Sequence, residues 1–156
     1  MQLELELEGY SFRNERQKGC INIVYTSSLV FNTYEIFFKH YELTFQQYNI
    51  LRILRDEFPD PVSTSVLRER MLDKMSDVSR LVSRLKNKEL VSVTPNPIDK
   101  RLVNILISEK GLALLKRIDE KIVHMDGMLL ELDEQEAQTL NALLDKVRSS
   151  VRKLKI

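Results

Sequence analysis

The chain breaks its helical potential in very few places. Its four prolines are Pro59 and Pro61, in "FPDPVS", and Pro95 and Pro97, just before and within "NPIDK". Gly9, Gly19, Gly111 and Gly127 stand alone. Proline cannot sit in a helix interior and glycine weakens one, so scarce breakers imply long helices joined by few turns. At 156 residues with 43% apolar and 30% charged side chains, the chain is long enough for one domain with a real core.

Periodicity then sets the elements. Residues 1–12 alternate Leu and Glu (Leu3, Leu5, Leu7 against Glu4, Glu6, Glu8) and read as a short strand or a loose arm. From Arg13 to Tyr41 a proline-free stretch carries Ile21, Val24, Tyr25, Ser28, Leu29, Asn32 and Ile36 on one helical stripe. Thr44 with Gln47 three residues on predicts a capped second helix, ending before Pro59. Ser63 caps a short third helix bearing Val66, Leu67, Arg70 and Met71. A fourth helix begins near Ser76, its apolar stripe being Val78, Leu81, Val82 and Leu85. Then "LVSVTP" (90–95) and "RLVNILI" (101–107) read as two strands around a charged turn. Ser108 caps a helix with stripe Leu112, Leu115, Ile118, Ile122 and Met125, and Asp133 with Glu136 caps a last one carrying Leu140, Leu144, Val147, Val151 and Leu154.

The order short helix, turn, helix, hairpin is a winged helix-turn-helix. The expected fold is mainly α with a small β-hairpin wing. It divides into an arm (1–12), an N-terminal dimerisation helix (13–42), a winged helix-turn-helix (43–108) and C-terminal dimerisation helices (109–156).

The fourth helix stands in the recognition position. Its solvent side holds Ser76, Ser79, Arg80, Ser83 and Arg84, with Asp77 at its start. Net charge over the chain is only +1, yet residues 61–110 carry a net +4 while residues 1–60 carry a net −3. A local basic excess with short hydroxyls lets a backbone approach phosphates, while Arg80 and Arg84 reach phosphates or guanine edges. Asp77 either caps the helix or accepts from a cytosine amine. Ser63 and Thr64, opening the preceding helix, offer free backbone N–H groups to a phosphate. In the charged turn, Lys100 and Arg101 approach phosphates or the minor groove, and Asp99 orients a basic neighbour.

Three stretches resemble the MarR family of winged helix-turn-helix transcriptional regulators: "LTFQQYNILRIL" (43–54), "VSRLVSRLKNKELV" (78–91) and "DKRLVNILISEKG" (99–111). The last holds an Asp-x-Arg wing motif and a Ser/Thr-x-x-Gly helix start. The resemblance implies a homodimeric regulator, taken as a repressor. It reads a pseudo-palindromic site with the helix in the major groove and Arg101 in the minor groove, and a small-molecule effector releases it. The family commonly has Gly where this chain has Glu89. Cys20, 24 residues before Thr44, is similar in placement to the thiol of the family's peroxide-sensing branch, and Tyr34 to the tyrosine that supports it. Phe45 and Val24 depart from that branch's aromatic residues. A redox sensor using Cys20 and a protein-binding winged-helix adaptor are the alternatives.

No nucleophile–base set or phosphate loop points to an enzyme. Cys20, His40 and His124 are scattered, so neither a metal nor a cofactor is implied. One cysteine forms no internal disulfide, the first residues lack a signal-peptide pattern, and no apolar run is long enough to span a membrane. A cytoplasmic location is therefore expected.

Overall fold

A computed structural model describes residues 3–154. The outermost residues of the expected arm (1–2) and of the expected C-terminal segment (155–156) lie outside them. The chain forms two compact units that divide after Asp119. No described helix is long and apolar enough to cross a membrane.

The first unit contains α1 (Leu3–Glu6), α2 (Glu15–Lys39), α3 (Phe45–Glu57), α4 (Thr64–Arg70), α5 (Val78–Asn87), β1 (Val91–Pro95), β2 (Val103–Ile107) and most of α6 (Glu109–Ile122). This is the winged helix-turn-helix order. The start of the chain is a helical turn rather than a strand or a loose arm. Leu3 is buried, Glu4 lies 2.5 Å from Lys18 of α2, and Glu6 accepts the Tyr25 hydroxyl at 2.8 Å. These contacts with α2 outweigh a period-2 pattern that has no strand to pair with.

The caps fall where side-chain chemistry predicts them. Asn14 accepts from the Gln17 N–H at 2.9 Å and starts α2. Thr44 and Gln47 satisfy each other's backbone N–H groups at the start of α3, and Ser63 accepts from Val66 at the start of α4. The helix α5 begins at Val78, two residues later than expected. Asp73 captures the Met75 N–H and the Ser76 hydroxyl, both at 2.9 Å, and holds that segment as a turn. Met71, placed on the third helix by its spacing, is instead the residue that terminates α4, and it is buried.

Strands β1 and β2 pair antiparallel, Val91 opposite Ile107 and Pro95 opposite Val103. β2 starts two residues later than expected. Asp99 accepts from the Arg101 N–H at 3.0 Å and closes a turn with the Leu102 N–H, so Arg101 lies in the loop. Val62, between α3 and α4, bridges Ile105 through two backbone bonds of 2.8 and 2.9 Å and fastens the hairpin to the helix-turn-helix. The core of this unit is Phe38, Ile50, Leu51, Leu54, Leu67, Met71, Val78, Leu85, Ile105, Ile107, Leu115 and Ile118.

The second unit runs from Glu120 through the end of α6, a 3-10 helix (Val123–Leu129) and α7 (Glu134–Lys153). The stripe that reaches Met125 changes helix type at Val123, four residues before Gly127, a poor helix former. The Asp133–Glu136 capping box opens α7, and none of the described residues of α7 is buried.

Candidate nucleic-acid interface

α5 buries Val78, Val82 and Leu85 against the core. Helical geometry then turns Ser79, Arg80, Ser83 and Arg84 to the other side, and all four are exposed. Its N-cap is Asp77, whose carboxylate accepts the Arg80 N–H at 3.1 Å. That carboxylate also favours the positive end of the helix dipole. Of the two roles open to Asp77, the structure realises the cap. Ser76 is half-buried, and its hydroxyl is spent on Asp73. It therefore stands before the helix rather than on its face.

The wing loop is built by two side chains. Asn96 accepts the N–H groups of Ile98 and Asp99 at 2.9 and 3.0 Å, and donates to Asn104 of β2 at 2.9 Å. Asp99 then fixes Arg101 by its backbone. Lys100 and Arg101 are exposed on this framework. At the start of α4, Ser63 spends its oxygen on the cap and shares a 2.8 Å contact with the Ser65 hydroxyl, while Thr64 is half-buried.

Among the described residues, Arg80, Arg84, Lys100 and Arg101 have no acidic partner. Other cations of the same unit do: Arg55 with Asp119 at 2.6 Å, Arg70 with Glu57, and Lys110 with Glu89 at 2.9 Å. Arg80 and Arg84 on α5 and Lys100 and Arg101 on the wing loop are thus open to an external anion.

Several supporting residues escaped the sequence reading. Buried Asn49 of α3 accepts the Leu72 N–H at 2.9 Å and anchors the turn into α5. Its signal is a polar residue inside the apolar run "YNILRIL". Asp73 and Asn96 act through turn chemistry that Asp and Asn favour. Glu89, where the resembled family has Gly, adopts φ 61°, in the left-handed region that glycine enters freely. Its carboxylate meets Lys110, whose ammonium holds it below the ordinary carboxylate range.

Cys20 and Tyr34 are not brought together within the chain. Both lie on α2, 14 positions apart, about 21 Å along the axis at a rise of ~1.5 Å per residue. Cys20 is exposed, and Tyr34 stacks on Phe45 with ring centroids 4.6 Å apart.

A recognition-type helix, a hairpin wing and four unpaired cations define a winged helix-turn-helix protein with a surface suited to polyanions. Residues 41–102 match the MarR family. The chain is similar to the HTH-type transcriptional repressor IacR of Pseudomonas putida, at 28% identity over 65% of this chain. That match spans 60% of the relative's own length. A MarR transcription factor from Planctomyces limnophilus superposes with a TM-score of 0.67 at 28% identity, covering 88% of this chain and 98% of that one. The S. aureus MepR–DNA complex shares the fold, with a TM-score of 0.73 at 21% identity over 90% and 99% of the two chains.

Proposed function

We propose that this protein is a DNA-binding transcriptional regulator. The observation that carries the reading is the set of unpaired cations, Arg80 and Arg84 on α5 and Lys100 and Arg101 on the wing, held out by buried or backbone-anchored partners within a MarR-family fold. α5 enters the major groove, where an Arg reads guanine O6 and N7, and the wing lies at the minor groove. Ser79 and Ser83 are short enough to let the helix approach. The match to a protein named as a repressor supports repression as the mode of action.

The regulator acts as a homodimer on a pseudo-palindromic site. Two faces support this reading. In the first unit, α2 exposes Ile23, Val24, Leu29, Phe31 and Ile36; in the second, α7 exposes Leu143, Val147 and Val151. So much bare apolar surface is a demand for a partner, and a second copy satisfies it with a two-fold interface. A small effector is the third part of the proposal. A cleft of about 530 Å³ in the first unit is lined by Tyr41, Lys88, Leu90, Lys110, Leu114 and Arg117. Glu42, one of the two non-glycine residues with left-handed backbone among the described residues, also lines it. Lys88, the C-cap of α5, donates across it to the Glu42 carbonyl, so an occupant here acts on the end of the reading helix.

The test is fluorescence anisotropy on a duplex selected by the protein from a genomic pool, at several salt concentrations. Arg84→Ala weakens binding to the selected duplex by roughly tenfold or more. Arg101→Ala weakens binding and lowers the log–log salt slope by about 0.9. Failure to bind any duplex at low salt refutes the regulator and leaves the adaptor reading.

A further inference from the structure

Ile98 is 95% exposed, the most exposed large apolar side chain among the described residues. A single exposed apolar residue is ordinary on a protein surface. The setting of this one is not. It sits in the wing loop between Pro97 and Asp99, and the loop cannot fold it back. Pro95 and Pro97 fix two φ angles. The Asn96 side chain holds the Ile98 N–H itself at 2.9 Å, and Asn96 N–H bonds the Leu102 carbonyl at 3.0 Å across the loop. Its side chain is branched at Cβ and stiff about χ1. Asp99, Lys100 and Arg101 follow it, all exposed, and neither cation is paired with an acid. The turn thus spends four side-chain hydrogen bonds, three from backbone N–H groups and one across to Asn104, and two prolines on presenting a rigid hydrocarbon tip beside two cations.

We propose that Ile98 is a specificity-determining residue of the wing, an apolar tip that reads the minor groove by shape; this rests on the DNA-binding reading above. Lys100 and Arg101 bring the loop to the phosphates and supply affinity without sequence information. Ile98 then meets deoxyribose and the groove floor. A·T pairs offer a floor with acceptors only, whereas G·C adds the guanine N2 amino group, which occupies space and carries a donor that an isoleucine cannot accept. Inserted apolar side chains also favour base steps that open easily. The wing therefore prefers A·T pairs where Ile98 lands, and the preference comes from contact rather than charge. Because the turn is already ordered, little conformational freedom is lost on seating.

The experiment starts from the tightest duplex that the wild-type, full-length protein selects from a random-sequence pool. Minor-groove footprints of wild type and Arg101→Ala locate the pairs under the wing. Those pairs are then made A·T, G·C or inosine·C, the last having the major-groove face of G·C without the N2 amino group. Wild type is expected to bind A·T and inosine·C alike and G·C roughly fivefold to tenfold more weakly, the scale of a few partly buried methyl and methylene groups. Ile98→Ala is expected to weaken A·T binding by a similar factor, erase the G·C discrimination and leave the salt slope unchanged. Its backbone N–H bond to Asn96 survives the change, so the fold is not at stake. Equal discrimination by wild type and Ile98→Ala, or discrimination that follows G·C and inosine·C together, overturns the proposal while leaving the regulator standing. Absence of binding to every duplex overturns both.

Discussion

Replacing Gly111 with alanine tests how the reading elements are assembled. Gly111 lies in the first turn of α6, where its N–H is capped by Ser108 at 3.0 Å. A Cβ at this position would lie 2.4 Å from the Leu90 carbonyl oxygen and 2.7 Å from Ile107 Cγ1. Neither neighbour can yield cheaply. The Leu90 carbonyl accepts the Ser108 N–H at 3.0 Å, and Ile107 is buried on β2 opposite Val91. Overpacking of this kind costs about 1–3 kcal/mol. Displacing the Leu90–Ser108 bond adds about 0.5–1.5 kcal/mol. Against this, alanine gains about 1 kcal/mol over glycine inside a helix. The balance is a loss of roughly 2 kcal/mol. With a urea dependence of about 2 kcal/mol per molar, the unfolding midpoint falls by about 1 M. Gly19→Ala is the control, since a Cβ there, in the second turn of α2, meets nothing within 4 Å. It should keep the helix gain and raise the midpoint. Both variants are compared with wild type at one protomer concentration, because association shifts apparent stability. A Gly111→Ala midpoint at or above wild type would refute the reasoning, and with it the view that α6 docks directly on the exit of α5.

Other perturbations address separate parts of the molecule. Asn49→Ala leaves the Leu72 N–H without its acceptor and should cost about 1–3 kcal/mol in urea unfolding. It should also accelerate hydrogen exchange at Leu72; unchanged exchange there would argue against the anchor. Val147→Asp places a charge on the exposed apolar face of α7 and should convert a dimer to monomers in sedimentation equilibrium, without lowering helix content. A wild-type protein that sediments as a monomer at micromolar concentration contradicts the dimer. Glu89→Gln probes the ion pair with Lys110. The hydrogen bond and charge of Lys110 lower the Glu89 carboxyl below its unfolded value of 4.5, so the pair stabilises the fold above that value and is lost as pH falls through the lowered one. Thermal unfolding should show a small wild-type advantage at pH 7 that shrinks as the carboxyl protonates on acidification, and an advantage that grows on acidification would reverse the sign of the argument.

The parts of this molecule that its sequence discloses are those whose chemistry is local. Thr44 and Gln47, Ser63, Ser108, and Asp133 with Glu136 announce helix starts because a side chain there reaches a backbone N–H three residues on. The late starts of α5 and β2 come from the same chemistry in competition. Asp73 and Asp99 take N–H groups two residues ahead and stop a periodic pattern from becoming regular structure. The bond between Val62 and Ile105 has no local signature at all, since two single residues 43 positions apart meet only after the core forms. The same distinction sorts the serines: Ser63 and Ser76 are spent on backbone or turn partners, whereas Ser79 and Ser83 stand exposed on the cationic face of α5.

Charge counting treats every acid in residues 61–110 as a subtraction from a basic patch. In the folded chain Asp73, Asp77 and Asp99 direct their oxygens at backbone N–H groups, and Glu89 faces Lys110. None of them pairs with Arg80, Arg84, Lys100 or Arg101. Two of these acids build the elements that carry the cations. Asp77 starts the helix that carries Arg80 and Arg84, and Asp99 sets the turn that carries Arg101. The cationic face therefore depends on carboxylates that a charge-optimising redesign would remove first.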